Sequence, residues 1–186
     1  MNKLNKLSLI ETDRLILRPL RKSDASAIYA YFSQEKVMTY YDLETFTDIG
    51  EADKLLDTWE YRLRHHEGYR WGITLRGVTN DLLIGTCGFH NLSEEHNRAE
   101  IGYEIHPGYW GRGLATEACK ALIDYGFSEL ACHRIEAYID PQHAASRRVL
   151  HKSGLKTEGV LLDYFFEKGR FVDAEILSVL NKQSLT

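Results

Sequence analysis

No stretch of this chain is apolar for long enough to cross a membrane. Positive charge is not in surplus either: 23 Lys and Arg stand against 27 Asp and Glu, a net charge of −4. Binding that rests on neutralising nucleic-acid phosphates is therefore excluded, while a cationic partner is compatible with the mild acidity. Cysteine is scarce. Cys87, Cys119 and Cys132 form no C-x-x-C pair, and their odd number argues against a disulfide framework. They read as reduced core thiols of a cytosolic protein. Met1 to Ile10 carries lysines but no apolar run of signal-peptide length, so the expected compartment is the cytoplasm. What is present is an ordinary globular composition, 44% hydrophobic and 27% charged. The 186 residues predict one domain, 1–186, with its core at about 10–180, large enough to bury a core without staples.

Periodicity separates the elements. Arg14–Leu20 reads as a strand, and Ser23-Asp24 offers an N-cap before the helical spacing of Ala27, Ile28, Tyr31 and Phe32. A second helix is expected from about Gly50 to His66, carrying Leu55, Leu56, Trp59 and Leu63, with His65-His66 as a solvated end. Tyr69–Leu75, Leu82–Phe89 and Ala99–Ile105 read as successive strands, the first two joined by a turn over 76–81 and the second two by polar Leu92–Asn97. Helical spacing returns from Ala115 to Leu130, then a strand at Arg134–Ile139 and a helix from about His143 to Ser153, ended by Gly154. Leu155–Phe166 and Phe171–Leu180 flank a hairpin signal, Glu167-Lys168-Gly169-Arg170. No repeat or low-complexity tract is visible. The class is α+β, with one mixed sheet whose strands run on after the last helix.

The most informative stretch is 99–118, AEIGYEIHPGYWGRGLATEA: a strand, a tight glycine turn and the first turn of a helix. A helix start leaves backbone N–H groups unpaired at the positive end of its dipole. Gly111 and Gly113 remove side-chain bulk there, so those N–H groups close around a phosphate or diphosphate. A P-loop requires Gly-Lys-Ser/Thr after its spacers, which is absent. A dinucleotide turn wants a third glycine at 116 and an acid closing a later strand; Glu136 lies near that offset but in mid-strand. A turn that merely packs tightly on a sheet also fits these glycines.

The wider context discriminates. Ala99-Glu100-Ile101-Gly102-Tyr103, then Tyr109-Trp110-Gly111-Arg112-Gly113-Leu114-Ala115-Thr116-Glu117-Ala118, strongly resembles the acetyl-CoA-binding motif of GNAT acetyltransferases. Asp140 to Leu155 (DPQHAASRRVLHKSGL) resembles the family's pantetheine-contacting motif. Glu11 to Arg18 is similar to the opening of one branch, the ribosomal-protein N-terminal (alanine/serine) acetyltransferases. The resemblance implies a central mixed, mostly antiparallel sheet of about seven strands, with about four helices packed on both faces. It implies acetyl-CoA as cosubstrate. Main-chain N–H groups of Gly111, Arg112, Gly113, Leu114, Ala115 and Thr116 would hold the diphosphate, and main chain near Ile105 the pantetheine and thioester carbonyl. Arg112 adds a guanidinium to a phosphate or remains a solvated arginine.

Four positions depart from the pattern. Gly108 stands where much of the superfamily carries Gln or Arg, removing one side-chain contact to the coenzyme. His143 replaces the usual Asn; it offers a hydrogen bond with different reach and protonation. Leu155 for Phe is a core exchange. Leu150 stands where many members place a Tyr that protonates the departing sulfur, and this branch uses a Ser instead, here Ser146.

Acetyl transfer to an amine needs a base, donors for the developing oxyanion and a hydrogen bond for the thiolate. A free α-amine, pKa about 8, needs less help than a lysine at about 10.4. Glu100 is the expected base, acting through water. Glu100, Gly102 and Glu104 share one strand face, where Gly102 leaves room for substrate and Glu104 shapes specificity. Glu100 also reads as a salt-bridged strand residue, and Ser146 as a helix-capping hydroxyl. No cysteine stands beside a histidine as a nucleophile, so transfer is direct; Cys119 follows the helical apolar stripe. His90, His96 and His106 match no ligand pattern, so no metal is expected, and they read as satisfied or surface residues, His106 near the cleft. Trp59, Trp71 and Tyr164 read as core or cleft wall. The implied function is acetylation of a primary amine, foremost a protein N-terminus. Alternatives are a small amine (polyamine, amino acid or antibiotic) or a non-catalytic acyl-CoA sensor; nothing separates a monomer from a homodimer.

Overall fold

The computed structural model describes residues 1–79 and 81–182. Asn80 of the expected 76–81 turn, and the last four residues of the expected domain, lie outside them. The strands are β1 (Ile10–Glu11), β2 (Leu15–Pro19), β3 (Gly68–Leu75), β4 (Leu83–Ser93), β5 (Arg98–Ile105), β6 (Arg134–Ile139), β7 (Lys156–Glu167) and β8 (Arg170–Leu180). They form one sheet in the order β1-β2-β3-β4-β5-β6-β8-β7. Every neighbouring pair is antiparallel except β5 and β6. A parallel pair needs a crossover, and a helix supplies it here.

That helix is α4 (Leu114–Ser128); the others are α1 (Ala25–Phe32), α2 (Glu35–Met38), α3 (Ile49–Arg64) and α5 (Ala144–Lys152). Strand alternation sorts the side chains into two cores, one per sheet face. On one face Leu15, Leu17, Trp71, Phe89, Ile101, Ile135 and Leu177 pack with Ala118, Cys119 and Leu122 of α4. On the other, Ile28, Tyr31 and Phe32 of α1 meet Met38, Leu56, Trp59 and Leu83. Each such large side chain contributes about 1.5–3 kcal/mol on full burial.

The expected elements are present, with two additions, β1 and α2. Two and four residues are too short to show a period. Asp24 corrects one local expectation. Its carboxylate does not cap α1 but grips the buried Arg18 guanidinium at 2.8 and 2.9 Å. The same carboxylate also accepts the Arg21 N–H at 2.8 Å, closing the short turn that leads into α1. The α3 start follows the capping rule fully, with Asp48 and Glu51 capping reciprocally. Lys168 and Gly169 take positive φ (49° and 76°) at the β7–β8 turn, matching the twist of a two-residue hairpin.

Candidate active site

The glycine turn forms as its sequence requires. Gly111 and Gly113 sit at φ +73° and +76°, and Gly113 is the N-cap of α4. A Cβ built on Gly111 meets nothing within 4 Å, so the turn opens onto free space. Leu114, Ala115 and Thr116 present first-turn N–H groups to it. An acid at this end would repel a phosphate, yet Glu117 stands in the first turn. Its charge is matched: Thr12 Oγ1 donates at 2.6 Å, and Arg14 donates from its backbone N at 2.9 Å and Nε at 2.7 Å. Although burial raises the Glu117 carboxyl, those bonds hold it below the usual range. Arg14 Nη1 also donates to the Arg112 carbonyl at 3.0 Å. Arg112 itself is exposed, its guanidinium 5.3 Å over the Tyr109 ring.

Beside the turn the sheet divides. β5 and β6 pair only through Arg98↔Arg134, Ala99↔Ile135 and Glu100↔Glu136, while β5 runs on to Ile105 paired to β4 alone. From Ile101 onward one edge of β5 therefore offers main-chain N–H and C=O groups without a strand partner. The Ile105 carbonyl takes a hydrogen bond from Trp110 Nε1 at 2.6 Å, tying the strand end to the glycine turn. An open turn ringed by N–H groups and an unpaired strand edge fit a diphosphate followed by an extended amide-bearing arm, the chemistry of acetyl-CoA.

The far wall is α5. His143 is its N-cap, with Nδ1 facing the Ser146 N–H at 3.5 Å and the ring stacked on Tyr40 at 4.4 Å. Burial lowers its pKa, which favours the neutral imidazole that capping needs. Ser146 is buried, and its Oγ lies 2.7 Å from the Tyr103 hydroxyl. Leu150 is fully buried, a core residue. Gly108 donates its N–H to His106 Nδ1 at 3.0 Å, and His106 packs edge-on to Tyr31.

On the opposite face of β5, Glu100, Gly102 and Glu104 do share one side, but the space over Gly102 is taken. His90 Cε1 and Arg70 Nη1 lie 3.1 and 3.3 Å from where its Cβ would be. That corrects the expectation of room for substrate there. Glu104 is buried and bonded to Arg70 and Thr86, so it is a structural anion. Arg70 also stacks on Trp59 at 5.0 Å. Glu100 Oε1 meets His90 Nε2 at 3.0 Å, and Asn91 Nδ2 donates to Oε2 at 2.7 Å.

Beyond the parting of the strands, Tyr138 stacks on the exposed Tyr164 at 5.5 Å, whereas Trp59 and Trp71 are buried. A cavity of about 80 Å³ continues outward between Tyr40, Tyr41, Tyr138, Asp140, Glu167 and Lys168. Lys168 Nζ donates to the Met38 carbonyl at 2.6 Å, fixing the β7–β8 turn over α2. A groove of about 610 Å³ between the chain at Ser8–Thr12 and α4 holds none of the expected site residues. The three cysteines are free and buried. Among the described residues no group of His, Cys, Asp or Glu is placed to hold a metal ion. No described helix is long and apolar enough to cross a membrane.

Strand register sets His90 against Glu100 and Tyr103 against Ser146, and the turn sets Trp110 against Ile105; sequence alone names these residues but not their partners.

Residues 14–156 match the family model described as an acetyltransferase (GNAT) domain. The chain belongs to the GNAT acetyltransferases, enzymes that move an acetyl group from acetyl-CoA to an amine. It is 42% identical over 172 residues, 92% of this chain and 96% of the other, to YoaA, an uncharacterised N-acetyltransferase of Bacillus subtilis. A spermidine N(1)-acetyltransferase of Escherichia coli is 27% identical over 169 residues, covering 91% of this chain and 87% of its own length. A ribosomal-protein-S5-alanine acetyltransferase from Vibrio fischeri shares the fold with a TM-score of 0.80 at 22% identity, over 94% of this chain and 97% of its own. Ribosomal-protein acetyltransferases are thus among its structural neighbours.

Proposed function

We propose that this N-acetyltransferase modifies the N-terminal α-amine of a polypeptide. The observation that carries the reading is the charge of the outer cavity. Asp140, Glu167 and Asp173 line it together with Lys168 and Arg170, a near-balanced set. A pocket for a polycation would gather carboxylates alone, whereas a peptide end brings one positive amine followed by neutral amides.

The chain's own groups divide the chemistry. Backbone N–H groups of Gly111 to Thr116 hold the diphosphate, and the free edge of β5 near Ile105 orients the thioester. Acetyl-CoA supplies the activated acetyl group. Glu100 provides base assistance on the acceptor side without touching the amine itself, and an α-amine near pKa 8 needs only that modest help. Ser146 supplies the hydrogen bond to the departing sulfur, its hydroxyl aimed by Tyr103. His143 sets the start of α5 and so places Ser146. The reading treats 1–186 as one catalytic domain of a cytoplasmic protein, monomer or homodimer.

A second reading, a polyamine acceptor, is favoured by the spermidine-acetylating relative. It is also favoured by Glu167, whose carboxyl is raised by burial and by the nearby Asp42 and Asp140 against Lys168. Free-thiol release from acetyl-CoA, followed with peptides bearing free α-amines, the same peptides N-acetylated, spermidine and aminoglycosides, separates the readings. Turnover of the free peptides alone is expected. Faster release with spermidine would transfer the protein to the polyamine class. Binding of acetyl-CoA without release on any amine would mark a sensor.

A further inference from the structure

We propose that the proton acceptor at the amine is His90, with Glu100 as its positioning residue. The inference rests on the amine-acetylating reading and deepens it. Three carboxylates reach the cleft face near the parting of β5 and β6, and each is already committed. Glu104 is bonded to Arg70 and Thr86. Glu136 is buried against Arg134 Nε at 2.6 Å and Arg98 Nε at 3.4 Å. Glu100 has one oxygen on Asn91 and the other on His90.

The geometry of that last contact assigns the imidazole. Nε2 is the ring nitrogen that faces the carboxylate, at 3.0 Å, so Nδ1 is the one turned away from it toward Gly102. Asn91 fixes the carboxylate's rotation, and the carboxylate fixes the ring. Held so, the Cε1–Nδ1 edge leans over Gly102: Nδ1 is 3.6 Å and Cε1 3.1 Å from the Cβ position there. Gly102 lies two residues past Glu100↔Glu136, the last pair before β5 leaves β6. Nδ1 thus lies over a part of β5 that β6 has already left. The His90 side chain is also more accessible, 30% exposed against 12% for Glu100. A larger residue than glycine at 102 would push the ring away.

In the step itself, the acceptor ammonium gives one proton to Nδ1, which returns it to solvent. The freed nitrogen lone pair forms the C–N bond and the C–S bond breaks with its electron pair on sulfur. The second nitrogen proton passes to that sulfur. Nothing beyond acetyl-CoA and the amine is consumed.

The test is steady-state thiol release with the best amine of the panel. His90→Ala is expected to lower kcat by about 100-fold or more, the scale of a lost general base, with KM for acetyl-CoA unchanged. Free imidazole added to His90→Ala should restore much of that rate by entering the vacated space. His90→Gln, which fills the space without a base, should be equally slow and unresponsive; it also supplies the reading if the alanine variant fails to bind acetyl-CoA. Glu100→Gln should lose only about 10-fold, because the ring is misaligned rather than absent. A larger loss in Glu100→Gln than in either His90 variant would overturn the proposal and leave Glu100 as the base. So would a folded, coenzyme-binding His90→Ala that imidazole does not rescue. Preference for spermidine would overturn the peptide acceptor alone, and the same kinetics on spermidine would still decide His90. No release with any amine overturns both.

Discussion

The glycine turn allows a prediction with its own internal control. Gly111 has φ +73° and a built Cβ meets nothing within 4 Å; Gly77, in the β3–β4 connection, has φ +78° and equally open surroundings. Replacing either with valine places an L-residue in left-handed backbone at about 1–2 kcal/mol. For a chain of this length that lowers Tm by roughly 2–8 °C. The two stability losses should match, since neither side chain clashes. Their effects on coenzyme affinity should not. At Gly111 the added methyls fill the space where the N–H groups of α4 converge, and loss of the diphosphate contacts should weaken acetyl-CoA binding at least about 100-fold, or 2.7 kcal/mol. At Gly77 binding should be unaltered. Calorimetric titration of both variants with acetyl-CoA, beside thermal melts, makes the comparison. Equal affinities in Gly111→Val and Gly77→Val would refute placement of the diphosphate at this turn.

Ser146→Ala should lower kcat about 100-fold. Its stability loss should stay near 1 kcal/mol, since the Ser146 carbonyl, 3.3 Å from the Tyr103 hydroxyl, still accepts from it. A Tyr103→Phe partner change should recover stability but not rate; recovery of both would reduce Ser146 to a structural hydroxyl. Arg70→Met leaves the Glu104 charge unpaired, and with side chains only 11% and 6% exposed the urea-measured loss should reach about 3–5 kcal/mol. The double change Arg70→Met/Glu104→Met should regain most of it, and failure to do so would deny that pairing is what matters. Glu158 is lowered from 4.5 to about 2 by hydrogen bonds from Arg134 and Ser178. A depressed carboxylate stabilises the fold above pH 4.5 and loses that contribution as pH falls toward 2. Glu158→Gln should therefore flatten the acid limb of stability between those values, and an unchanged limb would contradict the pairing.

Much of this molecule was legible because its signals are local. α3 and α4 announce themselves by apolar residues at helical intervals, and the β7–β8 turn by Lys168-Gly169. The anion turn was readable for the same reason: two glycines before a helix start need no distant partner to define them. Short elements were not, because β1 and α2 hold too few residues for a period. The far end of β4 was misread for a different reason. His90, Asn91 and Ser93 are polar residues within a strand, and polarity in sequence reads as a loop.

The sequence by itself determined that an α+β sheet would carry an open glycine turn between β5 and α4, and it marked Glu100 and Ser146 as candidates. Tertiary structure alone decided what those two residues touch. Which face a strand residue takes depends on register, and a slip of one would turn His90 away from Glu100. The parting of β5 from β6, the filling of the Gly102 space by Arg70 and His90, and the capture of Asp24 by Arg18 all join residues remote in the chain or set by packing. Such contacts are fixed by burial and by the need to pair every buried charge, constraints that exist only once the chain has closed on itself.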